Sequence, residues 1–187
     1  MSTPISHILN FWFGEPLEPN YGQFKPIWFV SSPEFDNLVK AQFLGLYIQA
    51  KEGSLNNLLD IPQGILALIL LLDQFPRNMF RNQAQAFETD QQACLLAKRA
   101  ISEEYDQQLP LFMRPFIYMP LEHSENEEDQ RLSVHMFQKL GDPNFINYAL
   151  QHQDVINRFG RFPYRNSILG RISTLEETQF LNQSKMI

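Results

Sequence analysis

The segment 65–72 constrains the fold of this chain more than any other, because every side chain in it is apolar. A helix on a protein surface keeps polar side chains on its outer face. This segment has none, so other elements must enclose it on all sides. The preceding residues Pro62, Gln63 and Gly64 are typical of a helix start, which predicts a buried helix. A buried strand is the alternative for so short an apolar run.

Helix-start signals recur on both sides of this segment. A capping residue followed by a proline at the first helical position occurs at Thr3-Pro4, Ser32-Pro33 and Asp142-Pro143. Capping boxes, with Ser or Thr three residues before Glu, occur at Ser124 with Glu127 and at Thr174 with Glu177. Thr89 or Asp90 is expected to cap a further helix, and the proline-rich stretch 109–124 to form a short or broken one.

No segment shows the alternation of polar and apolar residues that is typical of a strand. We therefore predict an all-α fold and a single domain over residues 1–187. Antiparallel helical hairpins joined by short loops are expected to surround the central apolar helix.

Composition narrows the classes of partner. The net charge of −6 disfavours a nucleic-acid partner, because phosphate binding needs a basic surface. Cys94 is the only cysteine, which excludes an intrachain disulfide and a zinc site built from cysteines. The N-terminal residues lack the pattern of a secretory signal, and no apolar run approaches the roughly 20 residues that span a bilayer. We expect a cytoplasmic protein with neither nucleic acid nor membrane as a partner.

Six of the nine arginines lie in two short segments, 73–81 and 158–171, and no lysine does. Both segments contain a similar motif, Phe-Pro-Arg-Asn at 75–78 and Phe-Pro-Tyr-Arg-Asn at 162–166. A guanidinium group can hold a carboxylate or a phosphate through two parallel hydrogen bonds and tolerates partial burial. Because proline disfavours helical geometry in the residue before it, each copy is predicted to form a corner between helices. We expect the two corners to meet around Asp73.

Several titratable residues stand at positions where their partners matter. Asp73 follows the apolar segment, where an unpaired carboxylate would be costly, so we predict an ion pair with one of these arginines. Asp154 is expected to pair with Arg158, four residues later on the same helix. His152 falls on the apolar stripe of its helix, which indicates that it faces the core or a cavity. A core histidine with one hydrogen-bond partner and a general acid or base are both consistent with that position.

Glu122 and His123 precede a predicted helix start, and a capping role does not explain them. With His152 and Asp154 they could form a metal site. However, adjacent residues on a helix point to different faces, and no His-Glu-x-x-His motif is present. We therefore predict no metal and no cofactor. The aromatic residues near the N-terminus are expected to be core side chains rather than the wall of a pocket, and they are Trp12, Trp28, Phe11, Phe13 and Phe29.

A set of motifs carries a family resemblance. The segments ILNFWFGE, LILLLDQFPRNMFR, YMPLEHSE, QDVINRFGRFPYRNSILGR and STLEETQFL follow one another between about Ile8 and Leu181. Together they resemble the bacterial domain-of-unknown-function family 924. The resemblance implies an all-helical fold similar to tetratricopeptide-like hairpins in a right-handed array, and it implies no reaction.

Three functions are consistent with these residues, and whether the protein is an enzyme stays open. In the first, a pocket between helices binds a small anionic molecule, with or without His/Glu acid–base catalysis. Its catalytic residues would be His152, His123 and Glu122, and its ligand-binding residues Asp73, Arg77, Asn78, Arg81, Arg161, Arg165 and Asn166. In the second, the hairpins bind a protein or peptide partner. In the third, the arginines and Asp73 form a buried ion network with a structural role only.

Overall fold

The structure, a computed structural model, describes residues 3–183, and this part of the chain is helical without any strand. Its α-helices are α1 (Pro4–Phe13), α2 (Pro33–Lys51), α3 (Pro62–Ile69), α4 (Phe75–Met79), α5 (Asp90–Ser102), α6 (Arg114–Glu122), α7 (Glu127–Leu140), α8 (Pro143–Phe159) and α9 (Leu175–Gln183). Short 3₁₀ turns lie at Pro26–Trp28, Asn56–Leu58, Ala84–Phe87, Asp106–Gln108 and Pro163–Arg165. The all-α prediction is confirmed. Within residues 3–183, every helix is too short or too polar to cross a bilayer.

The predicted helix starts are mostly as expected. Thr3, Ser32 and Asp142 each accept a hydrogen bond from a backbone N–H of the first helical turn. The capping box at the start of α9 is present, because the Thr174 and Glu177 side chains each accept from the other's backbone N–H. The box predicted at Ser124 is wrong. The N-cap of α7 lies two residues later, at Asn126, whose side chain accepts hydrogen bonds from two backbone N–H groups.

The apolar segment 65–72 forms a helix, not a strand, and it is buried throughout. Its start depends on Gly64, since a Cβ atom there would lie 2.0 Å from the Leu58 carbonyl oxygen. Helices α1, α2, α5 and α6 pack around α3 and its continuation toward α4. Every residue from Gly64 to Pro76 is buried as a result.

A π-helical segment, Leu70–Gln74, joins α3 to α4 without a break. Pro76 explains this geometry, because it has no N–H to donate and its ring opposes the carbonyl four residues earlier, that of Leu72. The Phe75 N–H bonds instead to the Leu70 carbonyl, five residues back. The Thr89 hydroxyl donates to the Leu72 carbonyl at 2.6 Å and replaces the missing N–H. The corner predicted at the first Phe-Pro motif is therefore wrong, since the helix continues through it.

The second half of the chain brings the end of α6 against the π segment and α8. The proline-rich stretch forms the short helix α6 with Pro120 inside it, and α6, α7 and α8 pack on one another. Helix α9 packs against the Pro163–Arg165 turn. Residues from the end of α6, from the π segment and from the first turns of α8 therefore lie close together.

Candidate functional site

A cleft of about 610 Å³ lies where the α1–α2 connection, α4, the end of α6 and the first turns of α8 meet. We call it the aromatic cleft. Its aromatic walls are formed by Phe24, Trp28, Phe29, Phe145 and Tyr148. Its polar floor is formed by Gln74, Arg77, Asn78, Arg81, Glu122, His123 and His152. Six of the ten residues predicted from the sequence as site residues thus line this one cleft.

Asp73 lies directly beneath this floor, on the π segment, and is fully buried. Its carboxylate accepts from Gln74 Nε2 at 2.6 Å and lies 2.7 Å from His123 Nδ1. Arg77 Nη1 is 3.1 Å away, so the predicted ion pair between Asp73 and an arginine is confirmed. Burial alone would raise the pKa of Asp73, but the charge of Arg77 and the contact with His123 outweigh it and lower that pKa to about 2. Asp73 is therefore a fixed negative charge that orients His123.

The two Phe-Pro motifs meet at Asp90, the first residue of α5. Arg77 of the first motif holds this carboxylate bidentately at 2.8 and 3.0 Å. Arg165 of the second motif approaches it at 3.2 Å and also donates to the His123 carbonyl at 3.0 Å. The guanidinium of Arg165 lies 4.6 Å from the ring centre of Phe87. The motifs thus meet close to Asp73, as expected, through a shared partner that the sequence reasoning did not identify.

Glu122 and His152 lie together on the cleft floor, with 3.3 Å between Glu122 Oε1 and His152 Nδ1. Burial, reinforced by the negative charge of Asp73, raises the pKa of Glu122 to about 8. Burial also lowers the pKa of His152 to about 4, although the Tyr148 carbonyl, 2.9 Å from Nδ1, opposes this shift. At neutral pH both side chains are uncharged. Because Nδ1 donates to the carbonyl, Nε2 is the basic nitrogen of His152.

All six clustered arginines have carboxylate partners. The pairs are Arg77 with Asp73 and Asp90, Arg81 with Asp36, Arg158 with Glu176, Arg161 with Glu177, Arg165 with Asp90, and Arg171 with Glu125. The pairing predicted between Asp154 and Arg158 is wrong, because Arg158 reaches across to α9. No cluster of three or more His, Cys, Asp or Glu that could hold a metal ion occurs within residues 3–183.

Arg161 and Asn166, predicted as ligand-binding residues, lie outside the aromatic cleft. Both bond to Glu177, and Arg161 also donates to the Ile172 carbonyl. Arg171 joins the same cluster, where it binds Glu125 and the Asn166 amide oxygen. These contacts hold the segment after α8 in place. They make no approach to Glu122 or the cleft floor.

Two of the aromatic wall residues, Trp28 and Phe29, belong to the set that sequence reasoning assigned to the core. Trp28 is half-buried, but Phe24 and Phe29 are 65% and 52% exposed at the rim. Tyr148, which also lines the cleft, is 52% exposed. Large exposed aromatic side chains that converge on a cavity are unusual on a surface and indicate a contact site. Only their convergence, which the sequence does not show, distinguishes them from core residues.

A second, more open cleft of about 930 Å³ lies on the other side of His123. It contains Cys94, whose thiol donates to Asp129 at 3.2 Å. Burial and the neighbouring Asp129 raise the pKa of this thiol to about 12. A thiol that stays protonated is a poor nucleophile, so Cys94 offers no obvious chemistry there.

Comparison with known proteins agrees with the motifs. The family model described as "Bacterial protein of unknown function (DUF924)" matches residues 8–185. The chain belongs to this family. A solved structure of a protein of unknown function from Agrobacterium tumefaciens is 36% identical to this chain and has a TM-score of 0.87. That comparison covers 96% of this chain and 97% of the other. No curated protein matches the sequence.

Proposed function

We propose that the aromatic cleft binds a small molecule and that Glu122 and His152 transfer protons to or from it. The observation that carries this proposal is the 3.3 Å contact between these two side chains on the floor of a cleft with apolar walls. Sites of this kind combine an apolar lining with a few convergent polar groups. Titratable groups with strongly shifted pKa values in a cleft are candidates for acid–base chemistry.

The two groups are suited to opposite roles at neutral pH. Glu122 carries a proton that it can donate, since its pKa is raised to about 8. His152 is neutral, and its Nε2 can accept a proton. His123 acts as a positioning residue, because its Nδ1 is held at 2.7 Å by Asp73. An acid and a base side by side, each in the form needed at neutral pH, fit proton transfer on a bound substrate.

Binding of an anion by the arginines, as predicted from the sequence, has less support than binding in the aromatic cleft. Arg77 and Arg81 line the cleft, but each already holds a carboxylate through two nitrogen–oxygen contacts. A ligand carboxylate or phosphate would have to displace Asp90 or Asp36. The closed pairs support a structural role for the arginines, as in the third hypothesis, alongside ligand binding by other residues.

The tetratricopeptide-like array stays a proposal, and with it the alternative that the hairpins bind a peptide. The exposed rim residues Phe24, Phe29 and Tyr148 are the observation in its favour, because aromatic side chains are enriched where partners dock. A peptide partner would depend on this rim and not on Glu122. Small-molecule binding with proton transfer would depend on both.

A thermal-shift screen of metabolites tests the proposal, with the wild type, Glu122→Gln and His152→Asn side by side. A ligand at one hundred times its dissociation constant should stabilise the wild type by about 2.7 kcal/mol. We expect both variants to lose most of that response. Glu127→Gln, an exposed residue on α7, is the matched control and should keep it. Hits that stabilise all four proteins equally would place the ligand elsewhere and contradict the proposal.

A further inference from the structure

The arginines that line the aromatic cleft have ion-pair partners, whereas two of its acidic side chains have no arginine or lysine partner among the described residues. Its cations, Arg77 and Arg81, both sit in closed ion pairs. Glu122 is 7% exposed, and within residues 3–183 no arginine or lysine lies within salt-bridge distance of it. Asp142, at the rim, caps α8 through two backbone N–H groups and also has no cationic partner in the described part of the chain. Glu122 is therefore a buried acidic group of the cleft that has no cation beside it among the residues that the structure describes.

The amide side chains on the cleft floor also favour a ligand that donates hydrogen bonds. Gln74 uses its Nε2 on the Asp73 carboxylate, and Asn78 uses its Nδ2 on the Asp36 carboxylate at 2.8 Å. Because a carboxylate only accepts, these contacts fix which end of each amide is the nitrogen. Both residues line the cleft, and neither amide oxygen accepts a hydrogen bond from another residue in the part of the chain that the structure describes, so both are available to a ligand. With Glu122, the floor offers three oxygen acceptors.

The walls supply aromatic faces and edges at close range. Phe24 stacks on Phe29 at 5.8 Å between ring centres, and Trp28 lies 6.0 Å from Phe24 at an angle of 80°. The indole N–H of Trp28 donates to the Trp12 carbonyl at 3.1 Å, which fixes the ring. Phe145 is likewise held in place, since it stacks on Phe137 of α7 at 5.5 Å. The walls are thus partly preformed and carry no competing charge.

We propose that the ligand of the aromatic cleft is an organic ammonium compound, that is, a protonated or methylated amine with an apolar body. This inference rests on the proposed function of the cleft and specifies its substrate class. The N–H groups donate to Glu122, Gln74 and Asn78, and the positive charge lies against the aromatic faces, which attract cations electrostatically. Glu122 is protonated in the free protein at neutral pH and ionises when the ligand binds, because the ammonium group supplies the counter-charge that this buried carboxyl group lacks. The apolar body fills the space between Phe24 and Tyr148.

Three probes of similar size and different charge test this inference: benzylammonium, benzyl alcohol and benzoate. Binding is measured by NMR titration of the wild type, followed through the backbone amides of the cleft and the indole N–H of Trp28. We expect benzylammonium to bind at least about tenfold more tightly than the other two, the factor that corresponds to about 1.4 kcal/mol. Glu122→Gln should reduce this affinity about tenfold, and Phe24→Ala should weaken it severalfold, while Glu127→Gln leaves it unchanged.

The outcomes separate this inference from the proposal on which it rests. Tighter binding of benzyl alcohol or benzoate in the same cleft would overturn the ammonium assignment and leave the small-molecule site standing. Equal binding of all three probes would overturn it as well, because the aromatic walls alone would then account for the affinity. If no probe shifts the cleft resonances at millimolar concentrations, both the ammonium assignment and the small-molecule site are contradicted. An affinity for benzylammonium that is the same in Glu122→Gln as in the wild type would show that this carboxyl group is not the cation's partner.

Discussion

Glu122 is a carboxyl group buried without a counter-charge, and its cost to the folded protein depends on pH. Its pKa is about 8 in the folded state, against an ordinary value of 4.5. Below pH 4.5 the group is protonated in both the folded and the unfolded chain, so it costs nothing. As the pH rises from 4.5 to 8, the unfolded chain ionises and the folded one does not, so stability is lost. The residues facing Glu122 whose charges act on it are Asp73 and Arg77.

We predict that Glu122→Gln removes this pH dependence. The variant should match the wild type near pH 4 and exceed its free energy of unfolding above pH 8, by on the order of 5 kcal/mol at most. Urea unfolding of both proteins across this pH range measures the difference. The control is Glu127→Gln, whose difference from the wild type should stay small at every pH. A constant offset between Glu122→Gln and the wild type would contradict the shifted pKa.

At the scale of the element, the π segment is a helix adapted to a proline. Pro76 removes the backbone donor that would serve the Leu72 carbonyl in a regular helix, and the Thr89 hydroxyl donates to this buried carbonyl instead. Leaving a buried acceptor unsatisfied costs about 1–3 kcal/mol. The same distortion places Asp73 beneath the cleft floor, within reach of His123. Local backbone geometry and the position of a functional group are linked here.

We predict that Thr89→Val, which keeps the side-chain shape, lowers the free energy of unfolding by about 1–3 kcal/mol. The reason is the loss of the hydroxyl donor to the Leu72 carbonyl. Thr178→Val is the matched control, because the Thr178 hydroxyl donates to an exposed carbonyl at a similar distance, and its loss should be small. Chemical denaturation measures both. In a Pro76→Ala background, where residue 76 regains an N–H, the cost of Thr89→Val should shrink. If Thr89→Val costs as much in the Pro76→Ala background as in the wild type, the Thr89 hydroxyl does not replace the N–H that residue 76 lacks.

At the scale of the whole molecule, Arg165 connects the segment after α8 to helices α5 and α6. It bonds to Asp90 at the start of α5 and to the His123 carbonyl at the end of α6, and it is 5% exposed. Arg158 also forms an ion pair, with Glu176, but both side chains are more than half exposed. Exposed pairs contribute about 0–1 kcal/mol, whereas breaking a buried one costs more because the partner groups are left uncompensated.

We predict that Arg165→Ala destabilises the protein by about 2–4 kcal/mol, less than a fully broken buried pair because Asp90 keeps Arg77. Arg158→Ala, the matched control, should cost less than about 1 kcal/mol. Thermal unfolding of the two variants checks this. If Arg165→Ala is as stable as Arg158→Ala and instead loses ligand response, the arginine network is a binding site and not a structural tie.

Local sequence signals predicted the helices and most of their starts, because caps and prolines act within a few residues. Thr3, Ser32 and Asp142 cap their helices as expected. The first Phe-Pro motif was the exception. A proline after a phenylalanine favours a corner locally, but burial on all sides and a donor from Thr89 kept the helix continuous. A tertiary contact thus overrode the local preference.

The sequence by itself determined that the chain is helical, that segment 65–72 is buried, and that Asp73 needs an arginine. These conclusions follow from patterning and from the cost of burying an unpaired charge. Only the tertiary structure decided which carboxylate pairs with each arginine, that the exposed aromatics Phe24 and Tyr148 line the same cleft, and that Glu122 has no cation beside it within residues 3–183. These features depend on side chains far apart in sequence, and residue spacing carries no information on such contacts.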